Sequence, residues 1–210
     1  MEVKVVNISG KETGAKVQLP ESVFGVTPSD HAIYLDVKQY LANQRQGTHK
    51  SKERNEIARS GKKAFRQKGT GGARRGDMRS PLVKGGGRAF GPQPHPYGFK
   101  LNKKVKDLAR KSALSFKAQN GNLIVVESFK FETPKTKEFI SVLSNLNIAE
   151  NKTLFLVGEA NNNVGLSARN LPKVNFLDAR LVNIFDVMHA QKLVITEDGV
   201  KALEANFSNN

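Results

Sequence analysis

The chain has no cysteine. Disulfides, thiolate zinc sites and cysteine nucleophiles are thereby excluded together. The absence suits a reducing compartment. Long apolar runs are missing too, none approaching the ~18 residues of a spanning helix, so no membrane partner is expected. Met1 to Asn7 lacks the charged-then-apolar layout of a secretory signal. The glycosylation tripeptides at Asn7, Asn151 and Asn206 are therefore read as chance matches. Histidine is sparse: His31, His49, His95 and His189 are scattered, none paired with another at metal-ligand spacing. Neither a metal site nor a hydrolase site is expected from them. These absences point to a soluble cytoplasmic protein.

Acids are nearly missing from one stretch. Between Arg45 and Lys100, fifteen basic residues face only Glu53, Glu56 and Asp77, a net +12 out of +15 for the chain. Extended to Lys117, the stretch carries twenty-one basic and four acidic residues, which leaves the remainder at −2. It also holds eleven of the eighteen glycines and four of the eight prolines, with almost no hydrophobic periodicity. Such a segment cannot bury enough apolar surface to offset its ordering entropy. It reads as a long insertion that stays mobile until a polyanion orders it. The contact residues expected from charge are Arg45, Lys50, Lys52, Arg54, Arg59, Lys62, Lys63, Arg66, Lys68, Arg74, Arg75, Arg79, Lys84, Arg88 and Lys100. Phe65, Phe90, Tyr97 and Phe99 lie among them, where rings can stack on unpaired bases while cations meet phosphates. Lys52 to Lys63 has the makings of a short helix, Gly69–Gly72 and Gly85–Gly87 of turns, and Pro92, Pro94 and Pro96 of an extended return.

The flanks have the periodicities of a folded body. Residues 2–8 and 15–19 read as a hairpin around Gly10 to Gly14. A helix starts at Ser29 or Asp30 and runs to about Gln44, with Ile33, Val37, Tyr40 and Leu41 on one face. Val105, Leu108, Ala109, Ser112 and Phe116 mark another, whose outer face carries Lys103, Lys104, Lys106, Arg110, Lys111 and Lys117. This basic face reads as a continuation of the binding surface. Buried strands are expected at 123–126, 153–158, 174–177 and 193–196. Helices are expected from Thr133-Pro134, around 164–170, and from Thr196 or Glu197 to about Ala205. The fold class is α/β: a mostly parallel four-stranded sheet with helices on both faces. Residues 1–44 and 101–210 form one discontinuous domain, and 45–100 a long basic loop inserted in it.

Catalytic motifs fail in detail. Gly69-Thr70-Gly71-Gly72-Ala73-Arg74 puts Arg74 where a dinucleotide fingerprint needs its third glycine. Gly71 and Gly76 have P-loop spacing, but Asp77 and Met78 replace the Lys and Ser/Thr. Neither stretch follows a predicted strand. Glu127, Glu159, Asp178 and Asp186 are body acids that more often cap strands and helices than pair for catalysis. No catalytic residue, metal ligand or cofactor is assigned. An RNA-modifying enzyme with a basic substrate arm is the enzyme alternative, and it lacks a cofactor cradle.

Specific residue blocks carry a resemblance. Arg45-Gln46-Gly47-Thr48, Arg66-Gln67-Lys68-Gly69-Thr70-Gly71, Ala73-Arg74, Ser80-Pro81, Gly85-Gly86-Gly87, Phe90-Gly91-Pro92 and Lys103-Lys104 follow one another in order. Leu123-Ile124-Val125-Val126-Glu127, Pro134-Lys135-Thr136-Lys137 and Ala168-Arg169-Asn170-Leu171 continue the agreement in the body. Over essentially its full length the chain resembles the bacterial uL4 family of large-subunit ribosomal proteins. Ala64-Phe65 stands where the family usually has Pro-Trp, and His95 where a basic residue is common. The resemblance implies a structural, non-enzymatic constituent of the 50S subunit, with an α/β body and a loop that threads 23S ribosomal RNA. It implies rRNA contacts by the cations above, by Phe65, and by Lys103 and Lys104. It also implies that Gln67, Lys68, Gly69, Thr70, Gly71, Gly72, Ala73 and Arg74 form a tip lining the peptide exit tunnel. Protein uL22 lies near that tip and the nascent peptide passes it; no homo-oligomer is implied. Some family members repress their own operon by binding messenger RNA, which is the alternative function.

Overall fold

Every residue of Thr153–Val157 is buried, a pattern that a strand sustains only when both sheet faces are covered. This strand, β4, lies inside a six-stranded sheet. Its neighbours are Glu2–Val6 (β1), Glu12–Gln18 (β2), Leu123–Val126 (β3), Val174–Asp178 (β5) and Lys192–Thr196 (β6). The order is β2-β1-β3-β6-β4-β5. All pairings are parallel except β1 with β2. The computed structural model describes residues 1–158 and 162–208. The chain divides into two compact units, Met1–Tyr40 with Lys100–Asn210, and Leu41–Phe99.

The α/β class matches the expectation, but the sheet has six strands, not four. The N-terminal hairpin does not stand apart: Val5 and Val6 pair in parallel with Val125 and Val126. Only two residue pairs make that junction, so no long apolar run announces it. β2 forms the edge and is almost wholly exposed. Cross-strand pairs Lys4–Glu12 at 2.8 Å and Lys16–Glu2 at 3.4 Å put charge along it, which discourages edge-to-edge association.

Helices cover both faces. Alternate strand residues point to opposite sides, so Leu154, Leu156, Leu193 and Ile195 share one core with Glu21–Phe24 (α1), Asp30–Asn43 (α2), Lys103–Gln119 (α3), Ile184–His189 (α6) and Glu197–Ser208 (α7). Val126, Phe155 and Val194 face the other core, under Thr136–Asn145 (α4) and Asn162–Arg169 (α5). There Phe139 meets Phe155 edge-on with ring centroids 5.1 Å apart. The helix expected from Thr133-Pro134 begins later, at Thr136, with Lys135 as N-cap. The residue before a proline is steered to extended backbone, so Pro134 precedes the helix rather than opening it. Helix α2 starts where its Ser-Asp signal placed it: the Ser29 carbonyl accepts from Ile33 N–H at 3.1 Å. Leu41, expected on its apolar face, is exposed.

Helix α3 turns a different face inward from the one its large residues suggested. Ala109, Ser112, Ala113, Leu114, Ser115, Lys117 and Ala118 are buried, while Leu108 and Phe116 are exposed. Small residues decide this, because backbone must come close. Ser115 Oγ donates to the Val23 carbonyl at 3.1 Å, and Ser112 Oγ accepts from Ser29 N–H at 3.2 Å. Lys117 is therefore not on the outer basic face. Its ammonium donates to the Ala190 carbonyl, at the C-cap of α6, at 2.6 Å. Burial holds its pKa below the ordinary lysine value.

The sign of that shift gives a pH test. A lysine depressed in the folded state is protonated more readily when unfolded, so stability rises as pH climbs from the folded value toward about 10.4. Lys117→Met removes the buried charge and keeps the volume, so at pH 7 its Tm should equal or exceed that of the parent. The difference should shrink, or turn in favour of the parent, as pH rises above 7 toward about 10.4. Thermal unfolding followed by circular dichroism at both ends checks this; a difference that stays constant across the range would contradict it.

Candidate nucleic-acid interface

Beyond the last turn of α2, which ends at Asn43, residues 44–99 contain no helix and no named strand, yet they are internally paired. Two limbs run antiparallel. Ser51 N–H donates to the Pro92 carbonyl at 3.1 Å, and Arg88 N–H to the Lys52 carbonyl at 3.0 Å. Farther along, Lys63 and Asp77 form an isolated antiparallel bridge, and Ala64 N–H reaches the Gly76 carbonyl at 3.1 Å. The helix expected over Lys52–Lys63 is absent, its place taken by short turns such as Glu56 N–H to the Glu53 carbonyl. Its few apolar residues, Ile57 and Ala58 among them, offer no face for a helix to bury. The return limb closes a loop on itself, Gly87 N–H donating to the Arg79 carbonyl at 2.9 Å. Within that loop a Cβ on Gly86 would fall 1.8 Å from the Ser80 carbonyl, so only glycine fits.

Where the limbs begin and end, an aromatic cluster joins them. His49 Nε2 and Tyr97 Oη are 2.6 Å apart, and the rings of His49 and His95 are 5.3 Å apart edge-on. The guanidinium of Arg45 lies 3.6 Å from the centroid of the Tyr97 ring, a cation–π contact. Two histidines that look scattered in sequence are thus neighbours. Gly47, at φ +66°, allows the approach, since a Cβ there would sit 2.1 Å from the His95 carbonyl.

All three acids of the unit are engaged inside it. Glu56 meets the Lys50 ammonium at 2.5 Å, and that hydrogen bond is the main reason its carboxyl sits below the usual range. Glu53 accepts from Gln93 Nε2 at 2.5 Å. Asp77 Oδ1 accepts from Arg79 N–H at 2.8 Å, and Oδ2 from Arg54 Nη2 at 3.0 Å. The Arg79 amide first, then Arg54, holds its carboxyl low. Arg59 Nη1 donates to the Lys84 carbonyl at 3.0 Å, and Arg79 Nε to the Arg59 carbonyl at 2.5 Å. Lys63 Nζ bonds Gln67 Oε1.

The cations expected to meet a polyanion therefore divide. Arg45, Lys50, Arg54, Arg59, Lys63 and Arg79 also brace the unit. Lys62, Arg66, Lys68, Arg74, Arg75, Lys84 and Arg88 are exposed, and their side chains make no hydrogen bond or ion pair among the described residues. Lys52 is exposed as well and acts on Glu56 only at a distance. Around the tip, from Gln67 to Arg74, every residue is exposed. Gly69 and Gly71 have positive φ, and nothing lies within 4 Å of a Cβ built on Gly69, Gly71 or Gly72. Phe65 is half exposed, and Phe90 fully so. In the other unit, Lys100, Lys103 and Lys104 are exposed, the last two opening α3 with no acid in its first turn.

The body acids have local tasks. Asp178 Oδ1 accepts from Arg180 N–H at 2.8 Å, capping the 3₁₀ turn Ala179–Leu181. Asp186 Oδ2 accepts from Asn183 Nδ2 at 2.5 Å at the start of α6, and the Glu127 side chain is exposed. Glu159 lies outside the described residues. A cavity of about 410 Å³ opens at the C-terminal ends of the parallel strands, beside Ser128, Phe129, Gly158, Phe176, Arg180 and Asp198. Its carboxylate, Asp198, accepts from Ser128 Oγ at 2.5 Å.

Comparison with known proteins converges. The model of the ribosomal protein L4/L1 family matches residues 17–206. The large ribosomal subunit protein uL4 of Phocaeicola vulgatus is 61% identical over 204 residues, covering 97% of this chain and 98% of that protein. Its counterpart in Parabacteroides distasonis is 59% identical over 207 residues, 99% of each chain. That of Amoebophilus asiaticus is 54% identical over 209 residues, the full length of both.

The division of the cations is testable on the isolated protein. Arg54→Ala unpairs Asp77 and should speed amide exchange at Ala64 and Arg88. Lys68→Ala with Arg74→Ala should leave those two amides unchanged. Hydrogen–deuterium exchange resolved to these amides checks both; equal effects from the two variants would erase the distinction.

Proposed function

The chain belongs to the ribosomal protein L4/L1 family, and from that premise we propose that it is a structural constituent of the large ribosomal subunit that binds 23S ribosomal RNA. The observation that carries the RNA reading is the set of seven exposed cations without internal partners, in a unit whose three carboxylates are all engaged. Each cation that meets a phosphate releases condensed counterions. Arginine adds bidentate geometry and stacking, and lysine a compact point charge. The unit is an RNA-binding insertion in a discontinuous α/β domain.

The finer reading concerns the tip. Gln67 to Arg74 lines part of the peptide exit tunnel, with uL22 as the neighbouring protein and the nascent peptide passing by. Small side chains and glycines suit a wall that a moving peptide must slide along, and Lys68 and Arg74 anchor it to phosphate. The protein acts in the cytoplasm, in assembled particles, by shaping RNA rather than by making or breaking bonds.

Two measurements test the proposal. Sucrose-gradient sedimentation should find the protein at one copy per salt-washed 50S particle; its absence would reject the assignment. Replacing Arg66, Lys68, Arg74 and Arg75 with Ala should lower the slope of log affinity against log salt by about 3 if each cation meets a phosphate. The melting of the body, followed in the same variant, should not change. An unchanged salt slope would put the RNA contacts elsewhere.

A further inference from the structure

Phe90 is the most exposed large apolar side chain of the described residues, and its backbone is held in a conformation that aromatic residues avoid. Its φ is +51°, and among the described residues only one other non-glycine residue, Asn147, shares the left-handed region. For a bulky residue this conformation is costly and persists only where its surroundings impose it. They do so here. Arg88 N–H is tied to the Lys52 carbonyl at 3.0 Å on one side of Phe90, and the Pro92 carbonyl to Ser51 N–H at 3.1 Å on the other. Between them Gly91 packs so closely that an added Cβ would come within 2.6 Å of Ser51 Cβ. The chain is pinned two residues before and two residues after Phe90, and the ring is turned outward into solvent.

Beside the ring is a hollow of about 610 Å³ lined by Glu53, Arg54, Pro81, Arg88, Phe90 and Gln93, with Ala89 and Gly91. Arg88 makes no ion pair or side-chain hydrogen bond among the described residues, and Arg54 engages Asp77 through Nε and Nη2 only. An apolar ring beside two guanidinium groups suits a planar, polar ligand attached to phosphates. The Glu53 carboxylate in the same lining disfavours a phosphate in the hollow and suits the edge of a base.

The geometry points to a docking site for one unstacked RNA nucleotide, its base stacked on Phe90 and its flanking phosphate met by Arg88. This rests on the RNA-binding reading above and adds to it a place and a ligand class. The strained backbone has a purpose on this account: glycine would relax the turn but would offer no ring. Base–aromatic stacking is insensitive to salt, whereas the Arg88 contact is screened by it. The two parts therefore have separable signatures.

The test uses the full chain and in vitro transcribed 23S RNA. Phe90→Gly and Phe90→Ala should each weaken binding by about tenfold with the salt slope unchanged, and Phe90→Tyr should restore affinity. Phe90→Gly should also melt no lower than the parent, since it removes the positive-φ strain, which separates lost stacking from lost folding. Arg88→Ala should reduce the slope by about 1. Ultraviolet crosslinking followed by mass spectrometry should join Phe90 to a nucleotide that chemical probing finds unpaired. Parent-like affinity in Phe90→Gly would overturn the site, as would a crosslink to a base in a continuous helix or, in assembled subunits, to a protein. If the parent chain itself ignored the RNA at low salt, the underlying RNA reading would fall instead.

Discussion

Like charges crowded on a short chain repel one another, and residues 41–99 carry fourteen cations against three carboxylates. Internal pairing cannot neutralise that imbalance. The structure applies its few acids where they hold the two limbs together. Asp77 accepts from Arg54, twenty-three residues away on the opposite limb, and Glu53 from Gln93, forty residues away. Main-chain carbonyls take over where acids run out: Arg59 and Arg79 donate to the backbone at Lys84 and Arg59. Such exposed contacts are individually weak. Their sum sets a backbone course and leaves most of the repulsion for an external polyanion to relieve.

The body obeys the opposite constraint. Its inner strands are covered on both sides, so each polar group taken inside needs a partner. Asp36 is buried, and burial raises its pKa while Arg110 and Lys106 pull it back. Among the described residues Lys117 has no carboxylate partner, and its ammonium donates to one carbonyl at the end of α6. A lysine placed there costs stability and gives orientation, since a helix C-terminus favours a cation. Both arrangements sit on α2 and α3, the helices on either side of the basic stretch in sequence.

The α/β class and the strands β3, β4 and β6 were legible because buried parallel strands have short, β-branched runs with little competition from other readings, and β5, at the sheet edge, was legible with them. Leu123–Val126 and Lys192–Thr196 show this directly. The hairpin's place in the same sheet was not legible: it depends on two residue pairs more than a hundred positions apart. The inward face of α3 was legible in part: Ala109 and Ser112 are buried as expected, but Leu108 and Phe116 outweigh Ala113 and Ser115 in any hydrophobic pattern, while close helix approach rewards the small residues. The basic stretch was visible from charge alone. Which of its cations brace and which stay unpaired was not, because Arg54 and Asp77, or Arg45 and Tyr97, meet only through the course of the folded chain. Its glycines did mark close approaches, as at Gly47 and Gly86, although the partners at His95 and Ser80 carry no sequence signal.

Salt divides the interactions of the basic unit into two classes. Cation–phosphate contacts weaken steeply as ionic strength rises, since their driving force is counterion release. Ring stacking, glycine-mediated close approach and backbone pairing do not. A surface built from the first class alone would bind any polyanion at low salt and nothing at high salt. Phe65 and Phe90, exposed among cations, are the rings on which the proposed stacking would depend. A long-lived place in a particle requires that second class, because only contacts that depend on shape can tell one fold of RNA from the excess of other phosphates around it.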